Sequence, residues 1–230
     1  MKQKIIIATL KSWNIKNYKK LGELYPEFSF FLVQKEQDLS LEFVKKIEPK
    51  YIFFPHWSFY IPKELYENYE CIVFHMSDLP FGRGGSPLQN LILRNIKKTK
   101  ISALRVCEEL DAGDIYLKKS LDISKGSAEQ IYKKASKLIF FKMIPRFFKT
   151  SIKAKPQKGE VIIFKRRKAE QSCLNTLQNP NLNELYNFIR MLDAPTYPKA
   201  FLEFGNFKLD LSKVQCKNQK LIGRFEIYEK

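Results

Sequence analysis

The chain contains only two histidines, His56 and His75, so few side chains are available as a base near neutral pH. Its four cysteines include no CxxC pair, and no His/Cys set has metal-ligand spacing, so we predict no metal site. No Gly-Lys-Ser/Thr loop occurs, no GxGxxG follows the first strand pattern, and no serine stands in a GxSxG elbow. The sequence therefore does not support a Walker-type phosphate loop, a nicotinamide-type dinucleotide site or a serine nucleophile of the GxSxG type.

Long apolar runs are also missing. The first residues, Met1-Lys2-Gln3-Lys4, lead into an apolar run too short for a signal peptide or a membrane span. From this we expect a cytoplasmic protein that contacts no membrane. Cys71 and Cys107 lie within apolar strand patterns, which predicts that both are reduced core residues.

Basic residues are abundant. Lys and Arg number 41 against 24 acidic residues, which gives a formal net charge of +17. This excess suggests a polyanionic partner, such as a nucleotide-linked substrate, a polyglutamylated cofactor or nucleic acid, although a lysine-rich proteome would explain it equally well. The hydrophobic content of 44% indicates a folded globular protein.

Strand and helix patterns alternate through the first part of the chain, with short connections between them. Such alternation predicts an α/β fold with a mostly parallel, Rossmann-like sheet. We assign residues 1–150 to this domain and residues 151–230 to a small C-terminal subdomain, with Lys153 to Lys158 as a linker. Ser127 to Phe148 reads as one long helix and Asn181 to Leu192 as another. The β-rich end has a hairpin turn at Gly205-Asn206.

Three side chains that handle protons or charge come soon after predicted strands. His75 ends the apolar run that begins at Cys71, His56 follows the Tyr51 run, and Asp111 follows the run from Ile101. Because ligands bind at the carboxyl ends of parallel strands, we expect these residues to share that edge of the sheet. A carboxylate next to an imidazole orients the ring and raises its basicity.

The segment after His75 completes a recognisable motif. It reads His75-x-Ser77-x-Leu79-Pro80-x-x-x-Gly84-x-x-Pro87, and Leu110-Asp111-x-Gly113-Asp114 follows. This pair of motifs resembles the 10-formyltetrahydrofolate-dependent formyltransferase superfamily, which includes methionyl-tRNA, glycinamide ribonucleotide and sugar N-formyltransferases. The resemblance covers roughly residues 1–150.

The resemblance implies that 10-formyltetrahydrofolate is the cofactor and that a substrate amine attacks its formyl carbonyl. His75 would handle the proton or stabilise the tetrahedral intermediate, and Asp111 would orient the ring and balance its charge. The implied cofactor-binding residues lie in the two motifs: Ser77, Asp78, Leu79, Pro80, Gly84, Leu110, Gly113 and Asp114.

One position departs from the family pattern. The family keeps an asparagine two residues before the histidine, whereas this chain has Val73, whose side chain cannot donate a hydrogen bond. The alternatives for the missing donor are His56, Ser58, Asn14 and Asn90. We prefer His56, because it follows the strand adjacent in sequence to the His75 strand.

The acceptor is predicted from the second part of the chain. About 80 residues remain after Thr150, whereas the tRNA enzymes carry a longer C-terminal barrel, and the segment from Phe188 to Phe201 resembles sugar N-formyltransferases. We therefore expect a nucleotide-linked amino sugar as the substrate and regard nucleic acid as an unlikely partner. A homodimer is allowed. The substrate-binding candidates are Asn14, Arg83, Arg190, Tyr197 and Lys199.

Alternatives remain within and outside the enzyme class. A formyltransferase acting on methionyl-tRNA or another amine is the nearest alternative. An inactive folate-binding relative is motivated by Val73, and a basic RNA-binding protein by the charge of +17, although no aromatic-basic recognition motif is present.

Overall fold

A computed structural model describes residues 2–230, and these residues form two compact units. The first contains the chain up to Arg83, Lys100–Leu121 and Lys133–Ile162; the second contains Gly84–Thr99, Asp122–Tyr132 and Ile163–Lys230. In chain order the strands and helices are β1 Gln3–Ala8, α1 Ser12–Leu24, β2 Phe28–Val33, α2 Leu41–Ile47, β3 Tyr51–Phe54, α3 Lys63–Asn68, β4 Cys71–His75, β5 Phe81–Gly84, α4 Pro87–Leu93, β6 Lys98–Arg105, β7 Ile115–Asp122, α5 Ala128–Leu138, α6 Ile144–Lys149, β8 Ile162–Phe164, α7 Leu182–Leu192, β9 Ala200–Phe204, β10 Phe207–Lys217 and β11 Lys220–Glu229.

The first unit is built on a six-stranded sheet with the order β2-β1-β3-β4-β6-β7. Strands β2, β1, β3 and β4 pair in parallel, and β6 pairs antiparallel to β4. The run Ile5-Ile6-Ile7-Ala8 in β1 is fully buried, as expected for a central strand covered on both faces. The predicted α/β fold with a mostly parallel sheet is therefore confirmed, with the antiparallel β6 as an addition.

The helix predicted from Ser127 to Phe148 is interrupted. α5 ends at Leu138, a π-helical turn covers Ile139–Met143, and α6 begins at Ile144 with Pro145 in its first turn. Proline lacks a backbone N–H and clashes with the carbonyl four residues earlier, so a regular helix cannot continue through this position. The wider π turn accommodates the proline.

The segment predicted as a linker is part of the first unit. Lys155 pairs with Ile115 through two backbone hydrogen bonds of 2.8 and 3.0 Å, so residues 153–158 run beside the start of β7. The linker prediction is therefore wrong here. The predicted division of the chain near residue 150 stays a prediction.

The second unit contains α4, α7 and a three-stranded sheet with the order β11-β10-β9. α7 begins with the predicted capping box, in which the Asn181 side chain accepts from the backbone of Glu184 and the Glu184 carboxylate accepts from the backbone of Asn181. The hairpin at Gly205-Asn206 connects β9 to β10, as predicted.

All four cysteines are free thiols. Cys71 is buried, and burial raises the pKa of its thiol to about 12. Cys107 is exposed, because β6 ends at Arg105 and leaves this residue in the loop; its assignment to the core is wrong. Within residues 2–230, no helix has both the length and the apolar character that crossing a membrane requires.

Candidate active site

His75 lies at the end of β4 and is only 9% exposed. Its Nδ1 is 3.3 Å from Oδ2 of Asp111, and its Nε2 is 2.7 Å from the carbonyl oxygen of Gly82. Both neighbours are acceptors, so the Gly82 carbonyl and the nearly buried Asp111 carboxylate together fix the orientation of the ring.

Asp111 reaches His75 by a route that the sequence did not predict. β6 runs antiparallel to β4, so Arg105 lies opposite Ile72, at the far end of β4 from His75. The loop after β6 folds back and places Asp111 in a left-handed conformation with φ 56°. His75 and Asp111 lie together as predicted. The prediction that both follow strands ending at the same edge of the sheet is wrong, because β6 is antiparallel to β4.

Gly113 allows this loop to turn back so closely. A Cβ at that position would lie 1.9 Å from the carbonyl oxygen of Arg105, a distance that no side chain tolerates. The Asp114 carbonyl then accepts a hydrogen bond from the Arg105 backbone N–H. Gly113 and Asp114 therefore shape the loop that carries Asp111.

Gln157 holds the same loop from the side. Its Nε2 donates to the carbonyl oxygens of Asp111 at 2.7 Å and Gly113 at 2.9 Å. Its Oε1 accepts from Nε and Nη2 of Arg83 at 3.2 and 3.1 Å, and Arg83 also pairs with Glu109 at 2.8 Å. Gln157 thus joins the Asp111 turn to the strand that supplies the Gly82 carbonyl. It stood in the supposed linker, where nothing in the sequence distinguished it.

The loop after His75 is fixed by hydrogen bonds within the first unit. The Ser77 hydroxyl donates to the Gly82 carbonyl, and the Ser102 hydroxyl donates to the Ser77 carbonyl. The peptide bond between Leu79 and Pro80 is cis. These contacts hold the Gly82 carbonyl against His75.

Asp78 anchors this loop by charge. Its carboxylate pairs with Lys118 at 2.5 Å and with Lys100 at 3.0 Å. Burial tends to raise the pKa of Asp78, but hydrogen bonds and charge from the two lysines outweigh it, so the net pKa is lowered. Asp78 is therefore an anionic anchor.

A cavity of about 340 Å³ adjoins the His75–Asp111 pair. Val73 and His75 are two residues apart in β4 and so lie on the same face of the sheet. The other lining residues are largely aromatic or apolar: Phe54, His56, Trp57, Phe59, Tyr60, Ile61, Tyr66, Phe74, Leu104, Arg105, Val106, Cys107, Glu108, Leu110 and Asp111. Most of these lining residues were not predicted from the sequence, although the run of aromatic residues from Trp57 to Tyr60 could have indicated them.

His56 lines this cavity together with His75. It follows β3 in a left-handed conformation with φ 60°. Non-glycine residues rarely adopt this conformation, and those that do cluster at functional sites. Burial of the ring, with a smaller effect of the Lys11 ammonium, lowers the pKa of His56 from 6.5 to about 4. Its imidazole is therefore neutral at neutral pH and has one N–H to donate.

Of the eight residues implied to bind the cofactor, Leu110 lines the cavity, with 70% of its surface exposed. Ser77 and Leu79 are fully buried, and like Asp78, Pro80, Gly113 and Asp114 they do not line it. Gly84 has φ 98°, and a Cβ there would meet the carbonyl oxygen of Phe164 at 2.5 Å. Packing against β8 therefore explains this glycine, and close approach to a ligand is not needed.

Several predicted side chains have internal partners instead of a ligand. Asn14 is 1% exposed, and its amide donates to the Thr9 hydroxyl and the Pro55 carbonyl, which supports the turn that bears His56. The Asn90 amide donates to three backbone carbonyls, those of Gly85, Ser86 and Lys165. Both amides therefore have partners within the fold, and the replacement for the asparagine missing at position 73 stays a prediction.

The remaining substrate candidates lie in the second unit. Arg190 is 1% exposed, and its guanidinium donates to Asn187 and to the Gly126 carbonyl, so its assignment to substrate is corrected to a packing role. Tyr197 accepts a hydrogen bond from Tyr132, and Lys199 pairs with Glu226 at 2.8 Å. These contacts are those of a packed junction between helix, turn and strand.

Comparison with known families gives a direct match. The formyl transferase family model matches residues 31–145, half of the chain. The chain belongs to the formyl transferase family. A second family model, described as the C-terminal domain of methionyl-tRNA formyltransferase, matches residues 169–228.

Individual members of the family extend this match. A solved methionyl-tRNA formyltransferase from Clostridium thermocellum is 49% identical, covers 99% of this chain and 100% of its own, and superposes with a TM-score of 0.95. The methionyl-tRNA formyltransferase of Sulfurihydrogenibium sp. (strain YO3AOP1) is 27% identical over 208 residues. A 4-N formyltransferase from Francisella tularensis shares the fold at 14% identity, with a TM-score of 0.68 and 96% of each chain covered.

These similarities overturn two predictions. The match covers 86% of this chain but 65% of the Sulfurihydrogenibium protein, so the chain spans just under two thirds of that relative. The Clostridium structure, in contrast, is matched over its entire length, so the size argument against a tRNA enzyme fails. The prediction of a nucleotide-linked amino sugar as substrate is therefore wrong, as is the expectation that nucleic acid is an unlikely partner.

Proposed function

We propose that this chain is an N-formyltransferase that moves the formyl group of 10-formyltetrahydrofolate to the amine of methionyl-tRNA. The observation that carries this acceptor is the 49% identity to a methionyl-tRNA formyltransferase over 99% of this chain. The net charge of +17 is consistent with a tRNA partner, because cationic side chains neutralise the phosphates that dominate nucleic-acid affinity.

The cavity next to His75 fits the folate donor. Its volume of about 340 Å³ is within the range of small-molecule sites. Aromatic and aliphatic side chains such as Trp57, Phe59 and Ile61 would hold a flat heteroaromatic ring, and Leu110 would close the opening. The donor supplies an activated formyl group when bound.

The His75–Asp111 pair provides the proton chemistry. Asp111 holds the ring through Nδ1 and would offset the positive charge that the ring gains when it takes up a proton. An attacking amine must lose a proton, and His75 is the group placed to handle it. A cationic ring also stabilises negative charge that develops on a nearby carbonyl oxygen.

His56 supplies the hydrogen-bond donor that other family members have as an asparagine at the position of Val73. It lines the same cavity as His75, and its neutral imidazole can donate a hydrogen bond without adding charge. The Thr9 hydroxyl and the Asn14 amide both bond to the Pro55 carbonyl just before it, so the turn that bears His56 is held firmly. Such fixed donors are the most effective in stabilising transition-state charge.

The test is formyl transfer from 10-formyltetrahydrofolate to methionyl-tRNA by the full chain, measured as formylmethionyl-tRNA formed per minute. His75→Asn and Asp111→Asn should each lower kcat/KM by about 100-fold or more. No formylmethionyl-tRNA above the uncatalysed level, together with formylation of a nucleotide-linked amino sugar, would overturn the proposal.

A further inference from the structure

The second unit contains a cavity of about 420 Å³ between the end of α4 and the start of α7. This volume is within the range of small-molecule sites. The walls combine apolar side chains, such as Ile92 and Leu177, with several amides and the Glu184 carboxylate. None of the residues that the structure places around this cavity is Lys, Arg or His, so a free anion is a poor fit. A neutral polar group suits it better.

Asn187 supplies a hydrogen-bond donor to this cavity. The residue is 6% exposed and lines the wall, and its Oδ1 accepts from Nε of Arg190 at 2.8 Å. Because Arg190 holds the carbonyl end of the amide, the Nδ2 end is left for the cavity, and within residues 2–230 it has no hydrogen-bond partner. A polar group this deeply buried normally has one. The acceptor that is missing would come from a ligand.

The Glu184 carboxylate supplies an acceptor next to this donor. Glu184 precedes Asn187 by three residues on α7, and helical residues at that spacing are neighbours on one face, with roughly 5–6 Å between their Cβ atoms. Its Oε2 accepts from the Asn181 backbone N–H at 2.9 Å, which fixes the side chain at the edge of the cavity. A carboxylate accepts about four hydrogen bonds, so Oε1 is open to a ligand.

An amide donor beside a carboxylate matches the edge of one nucleobase. Guanine presents the acceptor O6 followed by two donors, N1–H and N2–H₂, whereas adenine, cytosine and uracil have no acceptor followed by two donors. The Asn187 amide would donate to O6, and the Glu184 carboxylate would accept from N1–H and N2–H₂. Hydrogen bonds to an ionised acceptor are the stronger kind, so this edge should be read selectively.

We propose that this cavity binds a guanine nucleotide, either free or as an unpaired guanosine of RNA. The apolar side chains of the wall, among them Ile92 and Leu177, would cover the faces of the flat ring. The Lys97 ammonium donates to Oδ1 of Asn95, which lines the cavity, so a cation for the phosphate lies just outside it. The base enters a cavity without cations, and its phosphate stays outside.

Isothermal titration calorimetry of the full chain with GMP, IMP and AMP tests the proposal independently of formyl transfer. IMP lacks the N2 amino group and should bind at least about 10-fold more weakly than GMP, because one hydrogen bond to a charged group is lost. AMP reverses the edge and should bind at least about 100-fold more weakly. Equal affinities for GMP and AMP would overturn the proposal.

The two sources of guanine are separated with short RNA. If the RNA tetranucleotide UUGU binds more tightly than GMP while UUAU does not bind, the ligand is a guanosine of RNA; if GMP binds at least as tightly as UUGU, it is a free nucleotide. No heat from either GMP or UUGU at concentrations up to about 1 mM would overturn the proposal.

Two conservative variants locate the binding in this cavity. Glu184→Gln keeps the acceptor for the Asn181 backbone but turns an amide toward the donors of guanine. Asn187→Asp keeps the acceptor for Arg190 but has no donor for O6. Each should weaken GMP binding at least about 10-fold. Glu170→Gln, the same loss of charge at an exposed residue that does not line the cavity, is the matched control and should leave GMP binding unchanged.

Circular dichroism establishes that each variant is folded. If either Glu184→Gln or Asn187→Asp is folded and binds GMP as tightly as the wild type, the amide and carboxylate do not read the base, and the proposal fails.

Discussion

Replacement of Gln157 tests how the Asp111 loop is held. Gln157→Leu removes four hydrogen bonds and leaves the carbonyls of Asp111 and Gly113 without this donor. At a net 0.5–1.5 kcal/mol for each bond, the unfolding free energy should fall by about 2–6 kcal/mol. A shift of Asp111 by about 1 Å would also lower kcat roughly 10- to 100-fold.

Gln157→Glu distinguishes the hydrogen bonds that the Gln157 side chain donates from those that it accepts. The carboxylate still accepts from Arg83 but opposes the carbonyls of Asp111 and Gly113, so kcat should fall as it does for Gln157→Leu. The assays are thermal unfolding and formyl transfer across pH 6–9, in which a loosened His75–Asp111 pair changes the pH profile of kcat. Gln130→Leu is the matched control, because the Gln130 side chain accepts from the Ser127 backbone, outside the site.

One result would refute this reasoning. If Gln157→Leu lowers the melting temperature but leaves kcat and its pH profile within two-fold of wild type, Gln157 only stabilises the fold. If Gln157→Glu retains full activity, the link to Arg83 is the important one, and the two donated hydrogen bonds do not position Asp111.

Three further predictions use the same assays. His56→Ala should lower kcat by at least about 100-fold, and Val73→Asn in that background should restore part of the loss; near-wild-type turnover of His56→Ala would exclude His56 as the missing donor. As the pH falls from 6.5 to 4, the unfolded chain takes up a proton at His56 that the folded chain does not, so stability should drop by roughly 2–3 kcal/mol. Denaturant unfolding should show a smaller drop for His56→Ala, and identical pH curves would contradict the lowered pKa. Gly84→Ala should destabilise the chain by more than 1 kcal/mol, since its φ of 98° and the Phe164 carbonyl both oppose a Cβ; an unchanged melting temperature would argue against that packing.

Much of the fold was predictable because it follows local patterns. The apolar run of β1 and the capping box at Asn181 depend on neighbouring residues, and both are found where predicted. The reversed direction of β6 was not predictable, since a strand's direction in a sheet depends on distant pairing. The π turn before Pro145 was also not predicted, although a proline within a helical pattern indicates an interrupted helix.

The site was predictable only in part, for a physical reason. His75 and Asp111 stood out because ionisable residues beside apolar runs are rare. Gln157 did not, because a glutamine in a polar segment acquires its role only when folding brings it to Asp111. The sugar acceptor was inferred from chain length and one loose motif, and neither reports the chemistry of the bound amine.

The contacts at His75 come from parts of the chain that are far apart in sequence. Asp111 lies beyond the whole of β6, and Gln157 follows a further 46 residues along. Loop contacts made mainly by hydrogen bonds, with little buried apolar packing, are among the first to open when a chain loosens locally. Competence for catalysis should therefore be a fragile property of this molecule, and mild denaturant should abolish turnover while the buried central sheet is still intact.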